Sequence, residues 1–413
     1  VKMALVYGLS IVATFTGLGL LMALLVGASG AQTIAANPWV NLFIGLVFVV
    51  FALSLIGAFE LRVPNRLLNY VNQQGNERSG WIGVVFMGLT LTLVSFSCTV
   101  PFVGALLAAT AGGEWSWPIL GMVAFSTVFA LPFVVFAAFP SGLKKLPKSG
   151  SWMGALTVTL GFIEMAAAFK FLSNADLVWG WGLISRPLVI AVWSVLFFVA
   201  GLYLIGKVRL SHEPPIESVG AGRLLSGIAA MALAIYLLPG LLGAPLGTLD
   251  AWLPPRQASD VSLLAGLSTE PGERPDGLAW HGNDEGPADA AIEAAFAESA
   301  QTGRPVFVDF TGYTCTNCRQ MEATVFPKPA IAGRLSQDFV LLQLYTDAPE
   351  EGRALQRYQL ELTGTVALPT YAIVSADRQL VAKWEGMASV EDFATFLEAG
   401  AARYAQATAR AGG

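Results

Sequence analysis

Seven long apolar runs fill most of the first 245 residues, at 4–28, 38–60, 81–109, 117–139, 152–172, 187–206 and 222–243. Each has the roughly 20 residues with which a helix crosses the hydrocarbon core of a bilayer. Gly and Pro recur within them, as membrane helices tolerate, and Pro132 is expected to kink the fourth run. Soluble cores rarely repeat runs of this length. The pattern therefore predicts a multispanning α-helical membrane domain over residues 1–243.

The periodicity then changes. Residues 244–287 are rich in Pro, Gly and acidic residues and read as a linker. Residues 288–301 follow a helical pattern with Ile292, Ala295 and Phe296 on one face, and 305–310 read as a buried strand. Next comes Gly312-Tyr-Thr-Cys-Thr-Asn-Cys318, opening a helix through Met321. Strands are expected at 339–344, 368–374 and 379–384, and helices at 350–360 and 390–405. Alternating helix and strand with a C-x-x-C at a strand-to-helix turn predicts an α/β thioredoxin-like domain over 288–413.

Composition sharpens this division. Of 413 residues, 54% are hydrophobic and 13% charged, against roughly 25% charge in soluble domains, and the mean hydropathy is +0.60. A disordered chain, a nucleic-acid binder built on basic patches and an ordinary soluble globule are all excluded. The net charge of −5 names no partner. In the short loops, Lys2, Arg62, Arg66, Arg78, Lys144, Lys145, Lys148, Lys207, Arg209 and Arg223 fall on one side, and Arg186 on the other. The positive side is cytoplasmic, so seven spans starting there put the C-terminal domain in the periplasm or its equivalent. Val1 opens directly in an apolar stretch, without a charged n-region, and an upstream segment is expected.

Three cysteines are present: Cys98, Cys315 and Cys318. That is too few for a disulfide-stapled scaffold. A C-x-x-C at a helix start puts its first sulfur where free N–H groups and the helix dipole stabilise a thiolate. Cys315 is then the expected nucleophile, and Cys318 resolves the mixed disulfide. A zinc site needs a second ligand pair, and His212 and His281 both fall outside 288–413. A purely structural disulfide is the other rival. Pro369, in Leu368-Pro369, suits a cis-proline beside the C-x-x-C, with an ordinary trans proline before an edge strand as the alternative. Asp309, on the strand entering the site, and Glu322, one helical turn past Cys318, are candidates for raising the Cys315 pKa, or else are solvated carboxylates or caps.

Cys98 lies in Phe96-Ser-Cys-Thr-Val-Pro101-Phe-Val-Gly104-Ala-Leu-Leu, inside the third run. A lone cysteine in an apolar run usually packs as a small hydrophobe. Pro101, however, breaks helix hydrogen bonding near the sulfur, and unwound backbone at membrane depth sits beside protein or a water-filled cavity, which a reacting thiolate needs. Glu164, ionisable within the fifth run, either lines such a cavity or pairs with Lys170. Trp81, Trp115, Trp117, Trp179 and Trp181 lie at span ends as interfacial anchors.

The multispanning core, the S-C-T-x-P-x-x-G-A-L-L motif, the linker and the terminal C-x-x-C together resemble the DsbD family of thiol:disulfide interchange proteins over nearly the whole chain. The resemblance implies a protein-disulfide reductase of the cell inner membrane. Cytoplasmic thioredoxin, itself drawing on NADPH, reduces a pair of membrane cysteines. The pair passes electrons to the outer thioredoxin-like domain, and thence to an immunoglobulin-like amino-terminal domain and periplasmic disulfide proteins, including those of cytochrome c assembly. Cys98 then corresponds to the second membrane cysteine, Cys315 and Cys318 to the terminal pair, and Asp309 and Glu322 to acidic positions that tune the thiol. No cofactor beyond redox-active cysteines is implied, and no nucleic acid. The family core has eight spans, so the first span and its cysteine are expected to have been lost upstream or to come from another chain. Two rivals stand: a transporter with a tethered thioredoxin-like folding aid, and a membrane-anchored chaperone whose C-x-x-C grips clients without net reduction.

Overall fold

The computed structural model describes residues 2–59, 116–138, 150–210, 219–255, 278–282 and 286–411. Six of the seven apolar runs lie in helices: α1 (Lys2–Ala36), α2 (Pro38–Ile56), α3 (Ser116–Ala138), α4 (Gly150–Trp179), α5 (Arg186–Leu204) and α6 (Ala221–Leu241). The run at 81–109, with Cys98 and Pro101, lies outside the described residues. Among the described residues, four helical segments have the length and hydropathy of a membrane span: Pro38–Ile56, Gly154–Trp179, Arg186–Leu204 and Ala221–Leu241. α3 continues as a helix through Pro132. Asn37 separates α1 from α2, and its Oδ1 accepts from the N–H of Trp39 at 2.9 Å, so a capping side chain and Pro38 together start the second helix.

The chain divides into two compact units. In the first, residues 1–35 and 57–157, α1 packs on α3 through Ile11, Phe15 and Ala130. Gly8 and Gly19 face the side chains of Val134 and Met122 so closely that a Cβ at either position would require its neighbour to shift. Small residues thus set the approach of the backbones, as membrane helix packing favours.

The second unit holds residues 36–56 and 158–413. Gly45 lies against Leu172, and Gly161 against Ala52 and Ile56, which brings α2 close to α4. Gly201 and Gly227 face each other's backbone between α5 and α6. Polar contacts add to this packing: Asn174 donates to Asn41 at 3.3 Å, and the Trp193 indole to the carbonyl of Ala166 at 2.9 Å.

The sheet domain of this unit has β1 (Trp280–Gly282), β2 (Val306–Thr311), β3 (Val340–Tyr345), β4 (Thr370–Val374) and β5 (Leu380–Glu385) in the order β1-β3-β2-β4-β5. β1, β2 and β3 run parallel, while β4 and β5 are antiparallel to their neighbours. Helices α7 (Ala288–Thr302), α8 (Thr316–Thr324), α9 (Pro329–Asp338), α10 (Gly352–Thr363) and α11 (Val390–Ala411) cover the faces. Residues of β2, β3 and β4 are buried on both faces, hence their mostly apolar sequences, interrupted by Asp309 in β2 and Gln343 in β3. One face is an aromatic core around Phe307, which meets Tyr371, Phe326, Phe339 and Phe393. The other packs Phe296, Phe310 and Leu342.

Two pieces of the stretch read as linker are structured. Residues 247–252 form a 3-10 turn, and 280–282 pair with β3 as an edge strand. Leu246 and Leu253 explain the turn, because both are buried among Val189, Ile190 and Leu237. The indole of Trp280, stacked on Phe326, anchors the edge strand. His281 is therefore part of the sheet domain, where it meets Glu298 at 2.8 Å.

Candidate active site

The site lies beyond the carboxyl end of β2. That strand ends at Thr311, the chain turns through Gly312, Tyr313 and Thr314, and α8 begins at Thr316 with Cys315 as its N-cap. The Sγ of Cys315 accepts a hydrogen bond from the N–H of Cys318 at 3.2 Å. A sulfur in this position faces the positive end of the helix, which favours its thiolate. Here Cys315 and Cys318 are joined as a disulfide with Cα atoms 5.3 Å apart. Cys318 is 1% exposed and Cys315 partly exposed, so a partner disulfide meets Cys315 first.

Asp347, two residues past β3, holds the loop that presents Cys315. Its carboxylate accepts from the N–H of Tyr313 at 2.7 Å, the N–H of Thr314 at 3.0 Å and the Thr314 hydroxyl at 3.0 Å. Burial pushes the Asp347 carboxyl above the usual range, against the pull of these bonds. Gly312 fills the gap between Asp347 and Leu368, where an added Cβ would stand 3.0 Å from the carboxylate and 3.1 Å from Leu368 Cδ1. The Leu368–Pro369 bond is cis. The pairing of Thr370 with Phe310 sets Pro369 beside the end of β2.

Asp309 and Glu322 meet beneath this loop. The strand register aligns Gln343, Asp309 and Tyr371 in one row across β3, β2 and β4. Gln343 Nε2 donates to Asp309 at 2.9 Å and to Glu322 at 3.1 Å, linking the two carboxylates. Glu322 also pairs with Arg319 at 2.7 Å. Arg319 donates further to the Thr311 hydroxyl at 2.6 Å and the Tyr345 hydroxyl at 3.3 Å. Burial opposes the charge on Arg319, but Glu322 and then Tyr345 outweigh it and raise its pKa. Burial, followed by the charges of Asp309 and Glu322, pushes the Tyr371 phenol well above its ordinary value.

Of the residues singled out in the sequence, the structure brings Cys315, Cys318, Asp309, Glu322 and Pro369 together around β2 and the start of α8. Cys98 and Pro101 lie outside the described residues. Arg319, Gln343, Tyr345 and Asp347 were missed. One signal was available for Asp347: it follows a parallel strand at the carboxyl end, where α/β sheets place their sites. Among the described residues no cluster of three or more His, Cys, Asp and Glu could hold a metal ion.

The network carries a first prediction. Asp309→Asn combined with Glu322→Gln removes negative charge below the Cys315 thiolate and leaves Arg319 positive. The Cys315 thiol pKa is therefore expected to fall. Thiolate absorbance of the reduced protein, followed against pH, reads the shift, and an unmoved titration refutes it.

Comparison with known proteins agrees with this geometry. Residues 1–175 match the cytochrome C biogenesis protein transmembrane domain family, and residues 292–401 the thioredoxin-like domain family. Thiol:disulfide interchange protein DsbD 1 of Pseudomonas aeruginosa is 30% identical over 362 residues, which is 87% of this chain and 57% of that protein. Thiol:disulfide interchange protein DsbD of Vibrio vulnificus is 29% identical over 350 residues, 83% of this chain and 51% of the relative. The protein of the same name from Neisseria meningitidis is 26% identical over 369 residues, 87% of this chain and 55% of the relative. The chain thus spans little more than half the length of these relatives. With a transmembrane domain of the cytochrome c biogenesis type joined to a thioredoxin-like domain, it is a homologue of the DsbD thiol:disulfide interchange proteins.

Proposed function

We propose that this chain is a protein-disulfide reductase of the cell inner membrane, carrying electrons from cytoplasmic thioredoxin to disulfides on the periplasmic side. One observation carries the reading. A partly exposed Cys315 caps a helix that holds the buried Cys318, in the same chain as a DsbD-type membrane domain. A reduced membrane dithiol that includes Cys98 supplies a thiolate, which attacks the Cys315–Cys318 disulfide. A membrane-to-Cys315 mixed disulfide forms, and Cys318 leaves as thiolate. The second membrane thiolate then attacks its neighbour, closing the membrane disulfide and freeing Cys315. Two electrons have moved outward. Cys315 next attacks a client disulfide and Cys318 resolves the product, so the client takes up the electrons and two protons. Each step is thiol–disulfide exchange and needs no flavin or metal.

The partner sulfur of Cys98 is not among the three cysteines of this sequence, so the reading requires one from another segment or chain. Lys and Arg sidedness supports the periplasmic placement of the sheet domain. Final acceptors in keeping with the family are a disulfide isomerase, a cytochrome-maturation thioredoxin or a peroxidase.

The test is the redox state of the outer pair in the cells that produce the protein. With Cys98→Ala, Cys315 and Cys318 are expected to accumulate as the disulfide, while added thiol still reduces them in the purified protein. If the pair stays as reduced as in the parent, the membrane sulfur carries no electrons and the relay is wrong.

A further inference from the structure

The segment after α6 is fastened more firmly than a tether requires. Leu246 and Leu253 are sunk among Val189, Ile190 and Leu237. Between them, the Asp250 carboxylate pairs with the Arg186 guanidinium and accepts from the N–H of Leu246 at 3.0 Å. Arg186 donates its other nitrogen to the carbonyl of Pro254 at 2.7 Å. The two charged side chains are only 7% and 14% exposed. A buried pair of this kind is weak evidence for stability but does fix geometry.

What it fixes is the 3-10 turn Gly247–Trp252, and this turn lies against α8, the helix that begins at Cys315. A second contact falls at the same end of the sheet. Gly180, in the loop after α4, approaches Pro349, two residues beyond Asp347. That loop is itself rigid: Asp176 accepts from the N–H groups of Leu183 and Ile184, each at 3.0 Å, and the Ser173 hydroxyl donates to the carbonyl of Ile184 at 3.0 Å. Two preformed pieces at the ends of apolar helices thus meet the C-x-x-C helix and the loop that follows β3.

We propose that the Arg186–Asp250 pair is a latch that shapes the 247–252 turn into a docking seat for α8, with both residues positioning the Cys315–Cys318 helix over the membrane domain. This inference rests on the relay reading, since a seat at the helix ends serves to bring the outer pair to its electron donor. Neither latch residue touches the sulfurs. Their effect is on how often the C-x-x-C end of the sheet occupies the seat.

The experiment uses the full chain in detergent, with a photo-crosslinking amino acid at 248 or, in a separate chain, at 252, both exposed positions. Peptide mass spectrometry then locates the captured residue. At least one position is expected to capture 316–324. Asp250→Ala is expected to cut that capture about tenfold or more, because it takes the carboxylate away from a buried guanidinium and from the N–H of Leu246. The swap Arg186→Asp with Asp250→Arg is expected to restore it, which separates lost docking from lost folding. If neither position captures 316–324, or capture survives Asp250→Ala undiminished, the seat is wrong. If Asp250→Ala still reduces Cys315–Cys318 through Cys98 at the parent rate, the seat falls and the relay stands. If an intact latch gives capture but Cys98 makes no difference to the outer pair, the relay falls and the seat stands.

Discussion

Cys315→Ser is expected to abolish disulfide exchange at the outer pair, lowering the rate by about three orders of magnitude or more. A hydroxyl at the helix start is almost wholly protonated at neutral pH, whereas a thiol near a helix N-terminus supplies thiolate. Cys318→Ala should behave differently. Attack still occurs, because Cys315 is the sulfur that reaches the surface, but resolution fails and the mixed disulfide accumulates. Insulin reduction followed by turbidity reads the first variant, and non-reducing electrophoresis the second. If Cys318→Ala rather than Cys315→Ser blocked the first attack, the roles assigned here would be reversed.

Arg319→Met is expected to destabilise the sheet domain by about 3–5 kcal/mol, the usual result of removing one member of a buried ion pair. The reason lies in what remains. Glu322 loses its ion pair, while Asp309 stands beside it on the shared Gln343 amide. Arg319→Met with Glu322→Gln should recover most of the loss, because an apolar and a neutral side chain then replace both charges. The same single substitution strips a buried positive charge from the active helix itself and should raise the Cys315 thiol pKa, opposite to the effect of neutralising the carboxylates. Urea unfolding of residues 278–411 measures the first effect and a thiolate titration the second. Equal stability of the single and double variants would show that Arg319 and Glu322 are not coupled.

Much of this architecture was legible from residue pattern alone. The strands were readable because β2, β3 and β4 are buried on both faces and so are mostly apolar. The C-x-x-C was readable because its spacing matches one helical turn. β1 escaped notice because three residues, Trp280–Gly282, are too few for a period, and it exists only through pairing with β3. The 3-10 turn escaped because Pro254, Pro255 and Gly247 look like linker, while the fastening comes from Arg186, 64 residues away. α9 (Pro329–Asp338) was missed because it is short and mixed in character, with Ile331 and Leu335 as its buried residues. The carboxylates were singled out by position, but not the arginine paired with Glu322. Arg319 in the sequence looks like an ordinary exposed helix residue, and only the sheet behind it makes it a buried cation.

The unequal exposure of the two sulfurs also decides how the site meets oxidants. A peroxide reaches Cys315 and is kept from Cys318. A sulfenic acid formed at Cys315 lies three residues from a shielded thiol that condenses with it, expelling water and regenerating the disulfide before a second oxidant arrives. Oxidative damage at this site thus closes back into the working cycle.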